Sequence, residues 1–391
     1  KTTKFQNRNQ HFQTFVWRGQ DVTTTFPCWL TATNLATMTS PRTVRARALV
    51  VCNRDCFELV FDLLLTPYEH QTTYPLQSKL QNIERSDITM NNLSKTLTEI
   101  STNNLNIREE IGHGQFSKAY RATYTTPTNH KLNVVVKMIN PSHPMYDIKK
   151  TSNEMALCQL LGNLPNVCTF HGCGTMLENE RIEAQPFVVV KHYENGDLRT
   201  FLDHKQHKKN KEMAADVYTN RMKYQFTEDA CRGILNLHRT NVVHRDIAAR
   251  NCLIDLDHSI HVTDFGLSVL TDPAAYEGTQ LHKGKEMLPL KYMAPEAMDR
   301  NSLYSNFQTD VFMVGYLMYE IWTMKKPWSG ISARETMKLV LEGKRMELNG
   351  EGIPEEVKKI IQSCWLSDPE KRPSLEKELV GLSRVVNGYN G

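Results

Sequence analysis

The sequence lacks the features that mark disulfide-rich, zinc-binding and nucleic-acid-binding proteins. Its nine cysteines include no CxxC pair, so neither a disulfide framework nor a zinc site is indicated, and the reduced thiols of a cytosolic protein are the simplest interpretation. The formal charge is only +4, from 47 basic and 43 acidic residues, which gives no strong reason to expect nucleic acid as a partner. With 40% hydrophobic residues in 391, the chain is expected to fold into two or three domains.

Long apolar runs are also missing. The best candidate for a membrane span, residues 48–65, contains four charged residues and is thereby excluded. No basic-then-apolar leader follows Lys1, so we expect a cytoplasmic protein. Because the chain does not begin with methionine, we expect a fragment. Membrane association through an upstream segment stays open, in which case the chain would be the intracellular part of a receptor.

Glycine is scarce in one part of the chain. Of 19 glycines, only one lies in residues 1–104. Such a shift of composition indicates a domain boundary, and we divide the chain into an unassigned N-terminal region, 1–104, and a second domain, 105–386. In the first region, residues 48–52 and 57–65 have the pattern of two strands. The polar residues 86–106 are expected to be a linker.

A glycine-rich stretch follows the predicted linker. The sequence GHGQFS at 112–117 leads into a strand-like segment rather than a helix, which predicts a strand–turn–strand whose backbone amides can approach phosphate oxygens. An apolar run, 134–136, then ends in Lys137, and Glu154 lies in a helix-like stretch, 148–161. Because an inward lysine needs a carboxylate to fix its position, we predict that Lys137 pairs with Glu154.

Three further motifs carry a family resemblance. The sequence HRDIAARN at 244–251 is followed by DFG at 264–266 and by APE at 294–296. Intact and in this order, the motifs resemble those of the protein kinase family, and specifically of its tyrosine kinase branch. The resemblance covers residues 105 to about 386. It implies a two-lobed α+β fold, with a β-rich N-lobe and a mainly helical C-lobe, that transfers the γ-phosphate of ATP to tyrosines of protein substrates in signal transduction.

The resemblance implies a role for each motif residue. Asp246 would orient the attacking hydroxyl and accept its proton. Asn251 and Asp264 would ligate Mg²⁺ through hard oxygens, and Lys137, held by Glu154, would position the α- and β-phosphates of ATP. The predicted ATP-binding set also comprises Ile111, Gly112, Gly114, Ala119, Val135, the gatekeeper Val190, and the hinge residues Lys191 to Tyr193, which would offer backbone groups to adenine.

Two features favour tyrosine over serine or threonine as the acceptor. Ala248 stands where kinases of the Ser/Thr type usually carry lysine, and Arg250 stands four residues after Asp246, as in tyrosine kinases. The sequence LPLKYM at 288–293 resembles the platform that supports the substrate ring in tyrosine kinases, with Tyr292 in place of the usual tryptophan. A kinase that also phosphorylates serine or threonine is an alternative.

Three positions of the predicted N-lobe depart from the family pattern. Ser117 replaces the third glycine, Ala119 replaces the valine over the adenine, and Val135 replaces the alanine that usually lies two residues before the lysine. The changes at Ala119 and Val135 are opposite in size and lie on surfaces that enclose the same base, so the total side-chain volume around the base is roughly kept. If Ser117 and Val135 block ATP, the alternative is a pseudokinase that binds partners as a scaffold.

Other landmarks predict parts of the C-lobe. The apolar run 311–322 after Asp310 is typical of a helix that is buried on all sides. Arg372 is the expected partner of Glu296 in a buried ion pair. The charged residues 203–211 are expected to form a solvated loop.

The N-terminal region and the regulation of the kinase leave alternatives open. One hypothesis for the N-terminal region is a diverged Src-homology module that binds phosphotyrosine. Such a module needs an arginine inside its central strand, whereas Arg45 and Arg47 precede the predicted strand. The other hypothesis is a juxtamembrane or linker region. The activation segment, residues 264–296, contains Tyr276. This residue is either a regulatory phosphorylation site, with Arg245 as the partner of its phosphate, or simply an exposed loop tyrosine.

Overall fold

The chain divides into two compact units, residues 1–89 and 90–391. The computed structural model describes six strands of the first unit and, in the second, residues 97–379 apart from 115–116, 144–145, 178–183, 210–217, 272–278, 281–287, 299–303 and 350–351. Among the helices of these ranges, none combines the length and the hydrophobicity that a membrane crossing requires.

The first unit contains one antiparallel sheet. Its strands are β1 (Thr2–Lys4), β2 (Thr14–Gly19), β3 (Val22–Pro27), β4 (Leu35–Ser40), β5 (Thr43–Cys52) and β6 (Asp55–Leu64). They lie in the order β1-β4-β5-β6-β2-β3. The two strands that the sequence predicts are β5 and β6, but β5 begins well before the predicted start, because the alternation of polar and apolar residues at 43–48 also fits a strand.

Arg45 and Arg47 therefore lie inside β5, in register with Asp62 and Val60 of β6. The expectation that both arginines precede the strand is wrong. An arginine inside an interior strand is what the Src-homology hypothesis requires, so this objection to the hypothesis falls. The hypothesis itself stays a prediction.

The N-lobe of the second unit is built on a five-stranded antiparallel sheet. Its strands are β7 (Leu105–His113), β8 (Ser117–Thr125), β9 (Lys131–Ile139), β10 (Phe170–Leu177) and β11 (Ala184–Lys191). They lie in the order β10-β11-β9-β8-β7. The strand–turn–strand predicted around the glycine-rich stretch is present as β7 and β8.

Side chains alternate across this sheet, because successive residues of a strand point to opposite faces. On one face, Val134 and Val136 are fully buried with Phe187 and Val189 in the core of the lobe. Lys137 follows Val136 and points from the other face, which forms a wall of the cleft between the lobes.

The end of the predicted linker belongs to the N-lobe. Ile100 is only 3% exposed and packs in the core of the lobe, and its amide donates to the carbonyl of Cys173 in β10 at 2.8 Å. Gly172 and Gly174 make room for it, since a Cβ at these positions would lie 2.7 and 2.6 Å from atoms of Ile100. The linker prediction for 86–106 is therefore wrong at its C-terminal end, because a single isoleucine attaches this polar segment to the sheet.

Helix α1 (Ile148–Leu161) has the bounds that the sequence predicts. Asp147 caps its first turn by accepting hydrogen bonds from two backbone amides, as N-cap aspartates do. The helix ends at Gly162, where a Cβ would lie 2.4 Å from the Cβ of Phe170. Only glycine allows the chain to pass β10 at this distance.

The C-lobe is mainly helical, as predicted. Its described helices include α2 (Leu198–Lys209), α3 (Asn220–Arg239), α4 (Phe307–Thr323), α5 (Ala333–Leu341) and α6 (Glu355–Cys364). Its short strands are β12 (Val242–Val243), β13 (Cys252–Ile254), β14 (Ile260–Val262), β15 (Val269–Leu270), β16 (Thr279–Gln280) and β17 (Tyr304–Ser305). They form the antiparallel pairs β12–β15, β13–β14 and β16–β17.

Helix α4 is buried on all sides, as predicted. Every residue from Thr309 to Trp322 is buried. The helix begins at Phe307, before the apolar run, because Asn306 caps it in a capping box with Thr309 and the cap rather than the first apolar residue fixes a helix start.

The prediction of a loop for residues 203–211 is wrong as far as Lys209, because helix α2 continues to that residue. Asp197 holds its first turn by accepting hydrogen bonds from the amide and the hydroxyl of Thr200. The lysines and the glutamine that follow are good helix formers, so the run of charge does not end the helix.

The predicted ion pair between Arg372 and Glu296 is confirmed. The guanidinium donates to both carboxylate oxygens, at 2.5 and 2.7 Å, and to the carbonyl of Gln308 at 2.8 Å. The Arg372 side chain is fully buried. A bidentate pair in this setting fixes the geometry of its two segments relative to each other.

Candidate active site

The cleft face of the N-lobe sheet carries predicted ATP-binding residues from three strands. Ala119 of β8 is in register with Lys137 of β9, and Val135 of β9 is in register with Val190 of β11. Because paired residues of neighbouring strands point to the same face, these four side chains share the face opposite the buried core. Ala119 and Val135 are diagonal neighbours on it.

The glycine-rich turn borders this face. Gly112 is in register with Ala119, and the amide of Gly114 donates to the carbonyl of Ser117 at 2.7 Å. Ile111 is 44% exposed. A Cβ at Gly112 would meet nothing within 4 Å, so the backbone of the turn faces open space that a ligand can enter.

Lys137 lies between two carboxylates. Its Nζ is 2.6 Å from Oε1 of Glu154 in α1 and 3.4 Å from Oδ1 of Asp264, so the predicted pairing with Glu154 is present. Burial alone would lower the pKa of Lys137, but the charges of Asp264 and Glu154 outweigh it and raise that pKa. Lys137 in turn holds the pKa of the Asp264 carboxyl below its usual range. Lys137 and Asp264 are therefore both charged at neutral pH.

Residues 244–251, here called the catalytic loop, hold Asp246 from two sides. The guanidinium of Arg250 contacts its Oδ1, and the side-chain amide of Asn251 donates to its Oδ2 at 2.8 Å. The same amide donates to the Asp246 carbonyl at 2.7 Å. Because the amide NH₂ of Asn251 makes both bonds, its carbonyl oxygen stays available as a ligand.

Asp310 holds the backbone of the catalytic loop. The sequence placed this residue before an apolar run but did not indicate this contact. Its carboxylate accepts hydrogen bonds from the amides of His244 and Arg245 at 2.7 and 2.9 Å and lies 2.9 Å from Nε2 of His238. Arg245 has a left-handed φ of 70°, which is unfavourable for a non-glycine residue. Two charge-assisted bonds from one buried carboxylate compensate for it.

Asp264 also has a left-handed backbone, with φ of 67°. Phe265, which follows it, is 2% exposed and packs edge-on against the ring of His244 at 5.7 Å between centroids. The buried phenylalanine anchors the motif, while the Asp264 side chain stays 46% exposed toward the cleft. This is the arrangement that a metal ligand beside a phosphate site needs.

Two of the three hinge amides are bonded within the protein. The amide of Lys191 donates to the carbonyl of Thr169 at 2.9 Å, and the amide of His192 donates to the carbonyl of Asn133 at 3.2 Å. The Tyr193 side chain is buried, and its hydroxyl accepts from the amide of Thr169 at 3.0 Å. Within the described ranges the Tyr193 amide has no protein acceptor, which makes it the candidate donor to a base.

Glu320 and Arg199 are two buried charged residues that sequence reasoning missed. Glu320 of α4 is fully buried, and it accepts hydrogen bonds from the amide of Ala249 at 2.9 Å and from Arg199 at 3.2 Å. A glutamate inside an otherwise apolar helix is a signal that could have indicated such a contact.

Tyr276 lies outside the described residues, so its proposed contact with Arg245 stays a prediction. Arg245 itself is described. It is 7% exposed and lies directly before Asp246.

Comparison with known proteins defines the class of this site. The sequence profile of the family described as "Protein tyrosine and serine/threonine kinase" matches residues 105–381. The chain belongs to this family. The N-lobe sheet and the helical C-lobe described above are those of its kinase domain.

Several curated relatives are tyrosine kinases by name, and another is named as a growth factor receptor. The "Myoblast growth factor receptor egl-15" of Caenorhabditis elegans is 30% identical over 339 residues, which are 80% of this chain and 31% of the receptor. The "Tyrosine-protein kinase Fer" of Homo sapiens is 29% identical over 283 residues, 71% of this chain and 31% of that kinase. The "Tyrosine kinase receptor Cad96Ca" of Drosophila melanogaster is 30% identical over 289 residues, 71% of this chain and 35% of that receptor. The chain thus spans about a third of the length of these relatives.

Proposed function

We propose that this protein is an active tyrosine kinase that transfers the γ-phosphate of ATP to tyrosines of protein substrates in signal transduction. The single observation that carries the proposal is the charged pair of Lys137 and Glu154 at 2.6 Å, with Asp264 at 3.4 Å from the same Nζ. This arrangement joins the N-lobe sheet, α1 and the C-lobe in one assembled site. The relatives named as tyrosine kinases support the same activity.

The donor set fits ATP and Mg²⁺. Lys137 would hold phosphate oxygens, and the carboxylate of Asp264 with the side-chain carbonyl of Asn251 supplies hard ligands for the metal. When bound, Mg²⁺ neutralises charge that develops on the phosphates. Ala119, Val135 and Val190 would enclose the base, with the Tyr193 amide as its hinge donor.

Asp246 is the proposed acceptor of the substrate hydroxyl proton. Asn251 and Arg250 each hold one of its oxygens, which orients the carboxylate before a substrate binds. Arg250 and the platform around Tyr292 favour a tyrosine as the acceptor. Phosphoamino-acid analysis of a labelled protein substrate tests this choice, and phosphoserine or phosphothreonine would indicate the broader alternative.

We assign this activity to residues 105–386 and a non-catalytic role to residues 1–104. The relatives include proteins named as receptors and others named simply as tyrosine-protein kinases, and we place the kinase domain on the cytoplasmic side in either case. A fragment of residues 97–391 that retains the turnover of the whole chain would support the division. A fragment that folds but is inactive would contradict it.

A pseudokinase scaffold is the second candidate, favoured by the departures at Ser117, Ala119 and Val135. A nucleotide-induced shift of the melting temperature, measured with and without Mg²⁺, separates the two. A Mg²⁺-dependent shift together with phosphate transfer to a tyrosine peptide supports the kinase. The absence of both supports the scaffold.

A further inference from the structure

Tyr292 lies between the catalytic loop and the buried helix α4. The guanidinium of Arg250 lies over its ring, 5.1 Å from the centroid. On another side, the ring of Tyr316 in α4 packs edge-on at 5.9 Å between centroids. Its hydroxyl is buried near the carboxylate of Glu320, and this burial raises the pKa of the hydroxyl. The ring is thus fixed from α4 and presents a face to Arg250.

Glu320 is itself immobile. It is fully buried, and its two oxygens accept from the Ala249 amide at 2.9 Å and from Arg199 at 3.2 Å. Arg199 also donates to the carbonyl of Met324 at 2.7 Å. Moving this carboxylate would leave buried polar groups without partners, which is costly.

Arg250 is the side chain whose conformation the Tyr292 ring can stabilise. Its side chain is 42% exposed, and an exposed arginine has many accessible rotamers. A cation over an aromatic face is attracted to the ring. The Tyr292 ring therefore favours the rotamer in which the guanidinium reaches Asp246.

We infer that Tyr292 is a positioning residue for phosphoryl transfer, which acts by holding Arg250 against Asp246 and is itself held by the packing of its ring against Tyr316 of α4. The inference rests on the proposed function and extends it. It gives the tyrosine at this position a role beyond support of a substrate ring, because its ring lies between Arg250 and α4.

The test uses the full chain with Tyr292→Leu, Tyr292→Phe and Tyr292→Trp, assayed with ATP, Mg²⁺ and a tyrosine-containing peptide. Tyr292→Leu removes the aromatic face and should lower kcat by about tenfold to a hundredfold, which is the range for a misplaced catalytic group. Tyr292→Phe keeps the face and should lose less than the leucine variant. Tyr292→Trp, which supplies a face and an N–H donor, should restore most of kcat. KM for ATP should stay within about twofold of the parent value in all three.

Tyr218→Phe is the matched control. Its hydroxyl donates to the carbonyl of Ile321 at 3.0 Å, so this variant, like Tyr292→Phe, removes a tyrosine hydroxyl next to α4, but it does not touch the catalytic loop. It should keep the parental kcat. If Tyr218→Phe and Tyr292→Phe lower kcat equally, the effect is one of general stability and the inference fails.

A double-mutant cycle tests whether the effect passes through Arg250. Arg250→Ala removes the guanidinium, so adding Tyr292→Leu should cause no further loss of kcat. If the losses of kcat from Arg250→Ala and Tyr292→Leu multiply in the double variant, the two residues act independently and the inference is overturned. A raised KM for the peptide with unchanged kcat would overturn it as well, because Tyr292 would then only support the substrate.

The activity of the parent separates this inference from the proposed function. If the parent transfers no phosphate, the proposed function fails, and crystal structures of the parent and of Tyr292→Phe and Tyr292→Leu then decide the inference. Loss of the Arg250–Asp246 contact in the leucine variant supports it. Retention of that contact without the aromatic face refutes it.

Discussion

Asn251 donates two hydrogen bonds to Asp246, one to the carboxylate Oδ2 at 2.8 Å and one to the main-chain carbonyl at 2.7 Å. The second carboxylate oxygen contacts Arg250. Asp246 is therefore oriented by its own loop before any substrate is present. The same two bonds direct the side-chain oxygen of Asn251 away from Asp246, which leaves it to a cation.

The first prediction concerns this aspartate. Asp246→Asn should keep ATP binding, because Lys137, Asn251 and Asp264 are unchanged. It should lose phosphoryl transfer by about 10²–10⁴-fold, the usual contribution of a general base. The measurements are the nucleotide-induced melting shift with Mg²⁺ and the single-turnover rate.

Asp257→Asn is the matched control for this variant. Asp257 accepts from the amide of Ser259 in an exposed turn, so its replacement should change neither nucleotide binding nor rate. A variant at Asp246 that keeps more than about half of the parental turnover would remove the assignment of this residue as the base.

The second prediction concerns the surfaces that enclose the base. Ala119 and Val135 share the cleft face as diagonal neighbours, in register with Lys137 and Arg121 respectively. Val135→Ala alone should weaken ATP binding by leaving a gap. The expected loss is about 15-fold, since the change removes two methyl-sized groups worth about 0.8 kcal/mol each when buried and about 1.4 kcal/mol is a factor of ten. Ala119→Val with Val135→Ala should recover the binding.

A double-mutant cycle on the dissociation constant of ATP measures this coupling. Because both side chains are expected to contact the same base rather than mainly each other, the coupling should appear with ATP bound and be small in the stability of the free protein. Additive effects on ATP binding would refute the compensation between the two positions.

The third prediction concerns a buried carboxyl group away from the cleft. Asp229 of α3 accepts from the amide of Ile260 at 3.2 Å, and burial raises its pKa from 3.8 to about 6. Between these two values the folded state binds more protons than the unfolded state, so this group makes stability fall as pH rises from about 4 to 6. Above pH 6 the full cost of its burial is present, about 3 kcal/mol at most.

Asp229→Asn should remove this cost while keeping the acceptor for Ile260. We expect the free energy of unfolding in urea to rise by about 1–3 kcal/mol at pH 8 and to change little at pH 4. Glu342→Gln, which alters an exposed carboxylate that pairs with Lys338, is the control and should show no such pH-dependent gain. An equal effect of Asp229→Asn at both pH values would contradict the prediction.

The sequence predicts the parts of this protein whose residues act through local motifs. Helix α1 and the pairing of Lys137 with Glu154 follow from local patterns and spacing. The two lobes, the roles of Asp246 and Asp264 and the pairing of Arg372 with Glu296 follow from the family resemblance that the short motifs carry. In each case the motif itself contains the residues that make the contact or carry the predicted role.

What the sequence does not predict depends on contacts between distant segments. Asp310 and Glu320 hold the catalytic loop from more than sixty residues away, and a carboxylate in an apolar run does not disclose its partner. Ile100 lies in a segment that is polar in composition, yet one buried side chain joins it to the sheet. At the hinge, the amides of Lys191 and His192 are already bonded to protein carbonyls, which only the fold reveals.

The fourth prediction concerns the activation segment. Tyr276 lies outside the described residues, and its role is predicted from the sequence, as the tyrosine of a polar, glycine-containing loop. Phosphorylation would add about −1.5 to −2 charges. Arg245, directly before Asp246 and with its amide bonded to Asp310 at 2.9 Å, is the proposed partner, so a charge-assisted contact would order the segment beside the catalytic loop.

Incubation with ATP and Mg²⁺ should therefore give autophosphorylation with a lag, followed by a faster rate. Tyr276→Phe should abolish the acceleration and leave the final rate about 5- to 150-fold below that of the parent, the range of a typical regulatory coupling. Peptide mapping identifies the modified residue, and Tyr124→Phe in β8 is the control that should retain the acceleration. If Tyr276→Phe shows the same lag and final rate as the parent, Tyr276 is an exposed loop tyrosine and the activation of this kinase does not depend on it.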